Sequence, residues 1–319
     1  PKPAAPVPGT VVQPTCVNSV GSITLNGLLT SGNWTITQSN GTLSQTYTGS
    51  GPSFTVTNLL PGIYTFTIYE NPICPSSPTA GIEIAAPSTN VWNGTSWSKG
   101  SEPVITDAIR FSGDYSTTGN LSGCSCMIDS GVNVTVNSNH TLTITNAVTN
   151  DGGILTFENN SSLLQTANAI NTGNIIYKRN TSTRRYDYTY WSSPIVRTPA
   201  YTLHDLSPNT LSDKYTSYNP NASWVISYGG VLEMIPGQGY SIRGPQNFDI
   251  VTPEIQEVSF IGVPNNGTIS VPLVAAERFH LIGNPYPSAV YADQFIFDNA
   301  ANLYGTLYFW THNSPPAGD

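Results

Sequence analysis

Short runs of alternating apolar and polar residues, closed by Gly, Pro, Asn or Ser, recur along this chain and constrain its fold more than any other feature. NWTITQ at 33–38, TLTITN at 141–146 and ILTFEN at 154–159 are examples. Successive side chains of a strand point to opposite faces, so a period of two predicts half-buried strands. The 28 Gly and 25 Pro supply many turns, and the sequence therefore predicts an all-β protein without long helices.

The chain, at 319 residues, is too long for one small core, and its composition changes along its length. The predicted modules are a Pro-rich linker at 1–14, an immunoglobulin-like β-sandwich at 15–86, a small β-solenoid-like or stacked-sheet domain at 90–178, and an aromatic-rich jelly-roll-type β-sandwich at 179–319. No closing strand is evident near Asp319, so we expect the last module to be truncated or to continue.

The first sandwich is predicted from strands whose large residues share one face. Trp34 and Ile36 do so in one strand, and Tyr64, with the apolar residues two and four positions later, does so in another. The latter follows a Pro61-Gly62 turn that resembles the tyrosine corner of β-sandwiches.

The second module opens with Trp92 and Trp97 on either side of an Asn93-Gly94 turn, which predicts a hairpin. The β-rich runs that follow are spaced by roughly ten residues, which favours a solenoid or stacked sheet whose turns bury apolar residues against one another. Asn in such turns has a structural explanation, because it tolerates left-handed backbone and can form ladders.

The four cysteines, Cys16, Cys74, Cys124 and Cys126, all precede residue 127. An even count suits oxidised pairs outside the cytoplasm, and three pairings are open. Cys16 precedes the first strand of the sandwich and Cys74 follows its last long one, which predicts a bridge between them. For Cys124 and Cys126 the spacing predicts a local disulfide, against the alternatives of a metal-ligand fragment or a redox dithiol.

Charge and motif content argue against several functions. The net charge is −8 with only 11 basic residues, so a phosphate-binding surface for nucleic acid is not expected. No apolar stretch is long enough to span a membrane as a helix. The four His lie in unrelated contexts and no G-x-S-x-G or H-E-x-x-H occurs, so we expect no catalytic residues, no enzyme and no obligatory cofactor.

Calcium is the cofactor that the loops could accommodate. Asp114, Asp151 and Asp298 stand in loops with other oxygen-bearing residues, though without EF-hand spacing. An ordinary turn is the favoured explanation for each of them.

Aromatic residues concentrate after residue 179 and offer a sugar-binding alternative to simple core packing, since Trp and Tyr stack on the apolar faces of sugar rings. The candidate stacking residues are Tyr186, Tyr188, Tyr190, Trp191, Trp224 and Trp310. In RRYDYTYW the alternation separates the three tyrosines from Trp191, and either face could be core.

Several segments in order resemble a known family. VWNGTSWSKGSEP, GDYSTTGNLSGCSCMIDSGVNVTV, RYDYTYWSSPI, PGQGYSIRGP, LIGNPYPSAVYADQFI and LYFWTHNS resemble modular Bacteroidota proteins exported by the type 9 secretion system. Residues 15–86, with PTC and LPGIYTFTI, are similar to Ig-like repeats of gliding-motility adhesins in that phylum. The resemblance implies an extracellular, cell-surface location, partners in the secretion machinery and at the cell surface, and roles in cell adhesion. It assigns no catalytic residues.

The function expected from these observations is a non-catalytic surface adhesin or structural stalk. A carbohydrate-binding accessory region of an exported polysaccharide-degrading enzyme is one alternative. A self-associating subunit of an extracellular filament is another, because low charge and strand edges favour association. A glycan or another surface ligand is the expected partner.

Overall fold

The computed structural model describes residues 2–16, 18–69 and 74–309. Strand accounts for 42% and helix for 5%, which confirms the all-β prediction. The chain divides into two compact units: one comprises residues up to 89 with 106–108, and the other comprises 90–105 with the residues from 109 onward.

The first unit is built from two antiparallel sheets around one core. Its strands are β1 (Val7–Val12), β2 (Gly21–Asn26), β3 (Asn33–Ser39), β4 (Ser44–Ser50), β5 (Ser53–Leu59), β6 (Gly62–Tyr69) and β7 (Ile82–Ile84). The sheets have the orders β1-β2-β5 and β4-β3-β6-β7. Trp34, Ile36 and Tyr64 are buried in the shared core, as their alternation predicted. The Tyr64 hydroxyl donates to the Leu60 carbonyl at 2.8 Å.

Part of the segment predicted as a linker is a strand. β1 pairs antiparallel with β2, with a register shift between Pro8 and Val11. The prediction missed it because Pro lacks an N–H for a sheet ladder. β1 lies at the edge of its sheet, and an irregular edge strand tolerates Pro.

The second unit begins with a parallel, stacked-strand region. Its strands are β8 (Thr89–Trp92), β9 (Ala108–Phe111), β10 (Tyr115–Ser116), β11 (Leu121–Gly123), β12 (Ser125–Ile128), β13 (Asn133–Val136), β14 (Thr141–Ile144), β15 (Val148–Asn150), β16 (Ile154–Phe157), β17 (Ser162–Gln165) and β18 (Ile175–Thr183). The parallel ladders are β10-β13-β16-β18, β11-β14-β17 and β12-β15. The region is β-solenoid-like, in agreement with that prediction.

The repeat of this region is longer than the spacing of its strands. Val134 pairs with Leu155 and Leu142 with Leu163, so a strand lies beside the one 21 residues later. Successive strands therefore belong to different ladders, and each coil contributes one strand to each side. The inward-pointing residues of the three ladders form one continuous apolar core.

Four aromatic rings pack together beside the first coil. Trp92 and Trp97 form an antiparallel bridge, as expected for the hairpin at Asn93-Gly94. Their rings lie 5.0 and 5.4 Å from the ring of Tyr115, and Trp97 lies 5.7 Å from Phe111.

The remaining elements continue from the solenoid without a break in the core. They are β19 (Tyr188–Trp191), β20 (Ile195–Val196), α1 (Leu203–Leu206), β21 (Tyr215–Asn219), β22 (Ser223–Ile226), a 3-10 turn (Tyr228–Gly230), β23 (Tyr240–Arg243), β24 (Glu254–Pro264) and α2 (Ala292–Asp298). β18 pairs in parallel with β16 and, along its whole length, antiparallel with β24. The division predicted between residues 178 and 179 therefore falls inside one strand.

The end of the described chain is largely irregular. The segments ISVPL at 269–273 and RFHLIGNPYPS at 278–288 have no regular strand, apart from a bridge between Gln238 and Ile282. Pro272, Pro285 and Pro287 interrupt it, and each removes a ladder donor.

Both predicted disulfide pairings are wrong. Cys16 and Cys124 are disulfide-bonded, whereas Cys74 and Cys126 are free thiols. A Cys16–Cys74 bridge and a Cys124–Cys126 bridge are thereby both ruled out. Cys126 points into the solenoid core, where burial raises its pKa to about 12, so it is a packing residue rather than a nucleophile.

Candidate functional site

The four-stranded sheet β19-β23-β21-β22 separates the aromatic residues of the second unit into two sets. On one face, Trp191 lies opposite Tyr240, and Tyr215 lies opposite Ile242. Tyr215, Tyr240 and Ile242 belong to the core, and Trp191 packs against it. This face of the sheet is therefore the inward one.

The opposite face carries the tyrosines of the RRYDYTYW segment. Tyr188 and Tyr190 alternate with Trp191 along β19, and Tyr218 lies opposite Trp224 across β21 and β22. Tyr190 is 36% exposed and Trp224 is 43% exposed. We call this surface the aromatic face, and it comprises Tyr186, Tyr188, Tyr190, Tyr218 and Trp224.

Small side chains between the rings allow the aromatic face to be continuous. In one row across the sheet, Tyr190 is followed by Ser241, Thr216 and Ile226. Ser241 and Thr216 are buried, and the Tyr190 and Trp224 rings come to 5.8 Å of each other. The Tyr218 and Trp224 rings meet edge to face at 5.2 Å.

The chemistry of this face is that of a stacking surface with polar edges. A tyrosine phenol is protonated at neutral pH and can donate a hydrogen bond, and burial raises the pKa of Tyr190 further above its usual value. Exposed rings beside hydroxyl donors are the elements with which proteins bind the two sides of a sugar: the apolar face and the hydroxyl edge.

Arg243 adjoins the aromatic face and was not singled out by the sequence. It lies opposite Tyr188 in the β19-β23 pair, and its guanidinium carbon is 5.4 Å from the centroid of the Tyr186 ring. The alternation YSIR could have placed it on the same face as Ser241, but only the strand pairing brings it beside the tyrosines.

The structure brings together four of the six predicted stacking residues. Tyr186, Tyr188, Tyr190 and Trp224 share the aromatic face. Trp191 lies on the other face with its ring 6.3 Å from Phe260, and Trp310 lies outside the described residues.

The three predicted calcium residues are not brought together. Asp114 accepts hydrogen bonds from the backbone and side-chain nitrogens of Asn133 at 2.8 and 3.2 Å, which ties one coil to the next. Asp151 is in a solenoid turn, and Asp298 ends α2 and accepts from Gln294 at 2.7 Å. In residues 2–16, 18–69 and 74–309, no group of three or more His, Cys, Asp or Glu could hold a metal ion.

The His204-Asp205 pair serves a helix cap. Asp205 forms a capping box with Thr202 at the start of α1, and its carboxylate accepts from Arg197 at 2.7 Å. These bonds lower the pKa of Asp205 against the opposing effect of burial. The Asp205 carboxylate therefore caps the start of α1 and binds the Arg197 side chain.

The second unit is thus a β-solenoid-like scaffold with an antiparallel sheet that exposes an aromatic face. The chain belongs to the family defined by a domain of unknown function, DUF8693, which matches residues 85–319. No curated protein and no solved structure matches the chain. Across the part that the structure describes, no helix is long and apolar enough to cross a membrane.

Proposed function

We propose that this chain is a non-catalytic, adhesive region of an exported cell-surface protein and that it binds glycans through the aromatic face. The observation that carries the proposal is the contact of the Tyr190, Trp224 and Tyr218 rings with one another, with Tyr190 36% and Trp224 43% exposed. Large aromatic side chains normally fill a core, and an exposed contiguous patch of them marks a binding surface. Here the opposite face of the same sheet already supplies the core.

The location we propose is the cell surface, with export by the type 9 secretion system as the sequence resemblance implies. The disulfide-bonded state of Cys16 and Cys124 supports an oxidising compartment.

We propose an Ig-like sandwich for the first unit, which the Tyr64–Leu60 hydrogen bond supports. Its role would be that of a stalk, as in tandem repeats of gliding adhesins, and the aromatic-rich sheet would belong to a jelly-roll-type module.

Carbohydrate binding by an accessory region of a polysaccharide-degrading enzyme would use the same face. A hydrolase domain in the same gene product would favour that use, whereas many further Ig-like repeats would favour the adhesin.

Substitution of Trp224 by Ala is expected to weaken glycan binding by about tenfold or more, because removal of a Trp anchor from a binding surface costs ~2 kcal/mol or more. The measurement is a glycan-array screen of the whole chain, repeated with calcium and with a chelator, followed by titration of the best ligand. The whole chain is required because β18 joins the solenoid to the aromatic-rich part.

Tyr291→Ala is the matched control, because Tyr291 is 87% exposed and lies outside the aromatic face. It should bind like the wild type. An array that stays blank under both ionic conditions, or a Trp224→Ala variant that binds normally, would remove the basis for glycan recognition at this face.

Self-association through β22 is a second candidate function. β22 ends its sheet, and Trp224, Val225 and Ile226 are all exposed on it. An exposed apolar edge strand can pair with another chain. Light scattering should then show a mass that grows with concentration, and Val225→Lys should return it to that of the monomer, since a charged edge opposes pairing. A constant monomeric mass would rule this candidate out.

A further inference from the structure

Arg243 is a charged side chain that is buried and yet has no counter-ion among the described residues. It is 8% exposed, and its Nε has no hydrogen-bond partner in the described part of the chain. The neighbouring backbone is well ordered by hydrogen bonds, from Arg243 N to Lys214 O at 3.1 Å and from Thr210 Oγ1 to Arg243 O at 2.7 Å. Main-chain bonding therefore holds Arg243 in place without using its charge.

The carboxylates near Arg243 along the backbone each form an ion pair with another cation through Oδ2, while their Oδ1 atoms have no hydrogen-bond partner among the described residues. Asp187, whose carbonyl accepts from Gly244, is ion-paired with Arg184 at 3.5 Å. Asp213 is ion-paired with Lys214 at 3.2 Å. Among the described residues, no carboxylate forms an ion pair with Arg243.

Arg179 shows what a purely structural arginine looks like in this fold. Its guanidinium donates to the carbonyls of Lys178 and Ser161, both at 2.6 Å. It thereby fastens the turn between β16 and β17. The Arg243 guanidinium instead has the Tyr186 ring against it, and its Nε has no hydrogen-bond partner in the described part of the chain.

A guanidinium removed from water without an anionic partner is costly to the fold. Its planar donor set matches the two oxygens of a carboxylate. The Tyr186 ring against the Arg243 guanidinium is 50% exposed and lies at the edge of the aromatic face. A sugar ring stacked on that face could therefore direct a ring carboxylate at Arg243.

We propose that Arg243, with Tyr186 and Tyr188 around it, is a subsite for the carboxylate of a hexuronate unit in an acidic glycan. This inference rests on the proposed function, because the aromatic face must bind sugar for the subsite to select among sugars. Because the net charge of the chain is −8, long-range attraction does not draw acidic glycans to it, and the preference must come from this local contact.

The test compares an oligogalacturonate with its methyl-esterified form, which keeps the sugar rings and removes the charge. Titrations are run on the whole chain in about 0.15 M salt, where exposed charges more than about 8 Å apart are largely screened from each other. The wild type should bind the free acid about tenfold or more tightly, as expected for charge-assisted hydrogen bonds. Arg243→Met should bind both forms alike, at the affinity that the wild type has for the ester.

Stability separates this role from a structural one. Replacement of an uncompensated buried charge by an apolar chain of similar length is neutral or stabilising, so Arg243→Met should melt at or above the wild-type temperature. Arg243→Lys keeps the positive charge but cannot donate in a bidentate way to a carboxylate. Its preference for the free acid over the ester should therefore lie between that of the wild type and that of Arg243→Met.

The outcomes are distinct for the two proposals. If the wild type binds acid and ester equally well, the subsite is wrong and glycan binding stands. If neither oligosaccharide binds and the array is blank, both fail. A large drop in melting temperature for Arg243→Met, or an Arg243→Lys variant with the full wild-type preference, would also overturn the subsite. Tighter binding of a sulfated neutral oligosaccharide than of the oligogalacturonate would overturn its assignment to a carboxylate.

Discussion

Substitution of Phe157 by Ala is expected to lower the free energy of unfolding of the second unit by about 3–5 kcal/mol, the usual cost of removing a buried aromatic ring. Phe157 is 0% exposed. On β16 it lies between Val136 of β13 and Tyr177 of β18, with its ring 6.2 Å from that of Tyr177. Close neighbours on both sides limit how far the coil can collapse into the cavity.

The measurement is urea unfolding followed by circular dichroism and Trp fluorescence, with the affected transition assigned to residues 90–309. Thr156→Ala is the control, because Thr156 is the adjacent residue of β16 and points away from the core. It should change stability by less than about 0.5 kcal/mol. Equal effects of the two substitutions would mean that the solenoid interior is not packed as described.

Substitution of Asn171 by Ala should cost about 3 kcal/mol, because it leaves buried backbone groups without partners. The Asn171 side chain accepts from Val148 N at 2.8 Å and Gln165 Nε2 at 2.9 Å. It donates to Gln165 Oε1 at 2.8 Å and Pro264 O at 2.9 Å. This network connects a solenoid turn to the end of β24, so its loss should loosen both.

Two readouts test that network. Hydrogen exchange at the Val148 amide should accelerate in Asn171→Ala, and a double-mutant cycle with Gln165→Ala should show strong non-additivity. Asn221→Ala, in an exposed turn, should leave stability within about 0.5 kcal/mol of wild type. Additive effects of Asn171 and Gln165 would contradict a shared network.

Local pattern was enough to predict most strands and several contacts. Alternation placed Trp34 and Ile36 on a buried face, and the Asn93-Gly94 turn identified the hairpin in which Trp92 pairs with Trp97. These features depend on residues close together in sequence, so a short stretch of sequence is enough to predict them.

Features that depend on distant pairing were not predictable in the same way. The strand spacing was recognised, but the 21-residue offset between Leu142 and Leu163 could be seen only once each strand was assigned to a ladder. The disulfide state of the cysteines likewise depends on which residues the fold brings together, and sequence spacing carries no information on that.

The candidate site lies between these two cases. Alternation separates Tyr188 and Tyr190 from Trp191 along β19, but it could not choose the outward face. Trp191 lies opposite the buried Tyr240, so its face of β19 is the inward one and the face of Tyr188 and Tyr190 is the outward one. Arg243 was missed because nothing in its local sequence reports a missing counter-ion.

The double pairing of β18 has a mechanical consequence. Because this strand is hydrogen-bonded both to the solenoid ladder and to β24, the region before residue 178 and the region after it have no linker at which to swivel. Under the proposed adhesive function, a force on a ligand bound to the aromatic face would pass to the solenoid through both ladders of β18, so their hydrogen bonds would share the load.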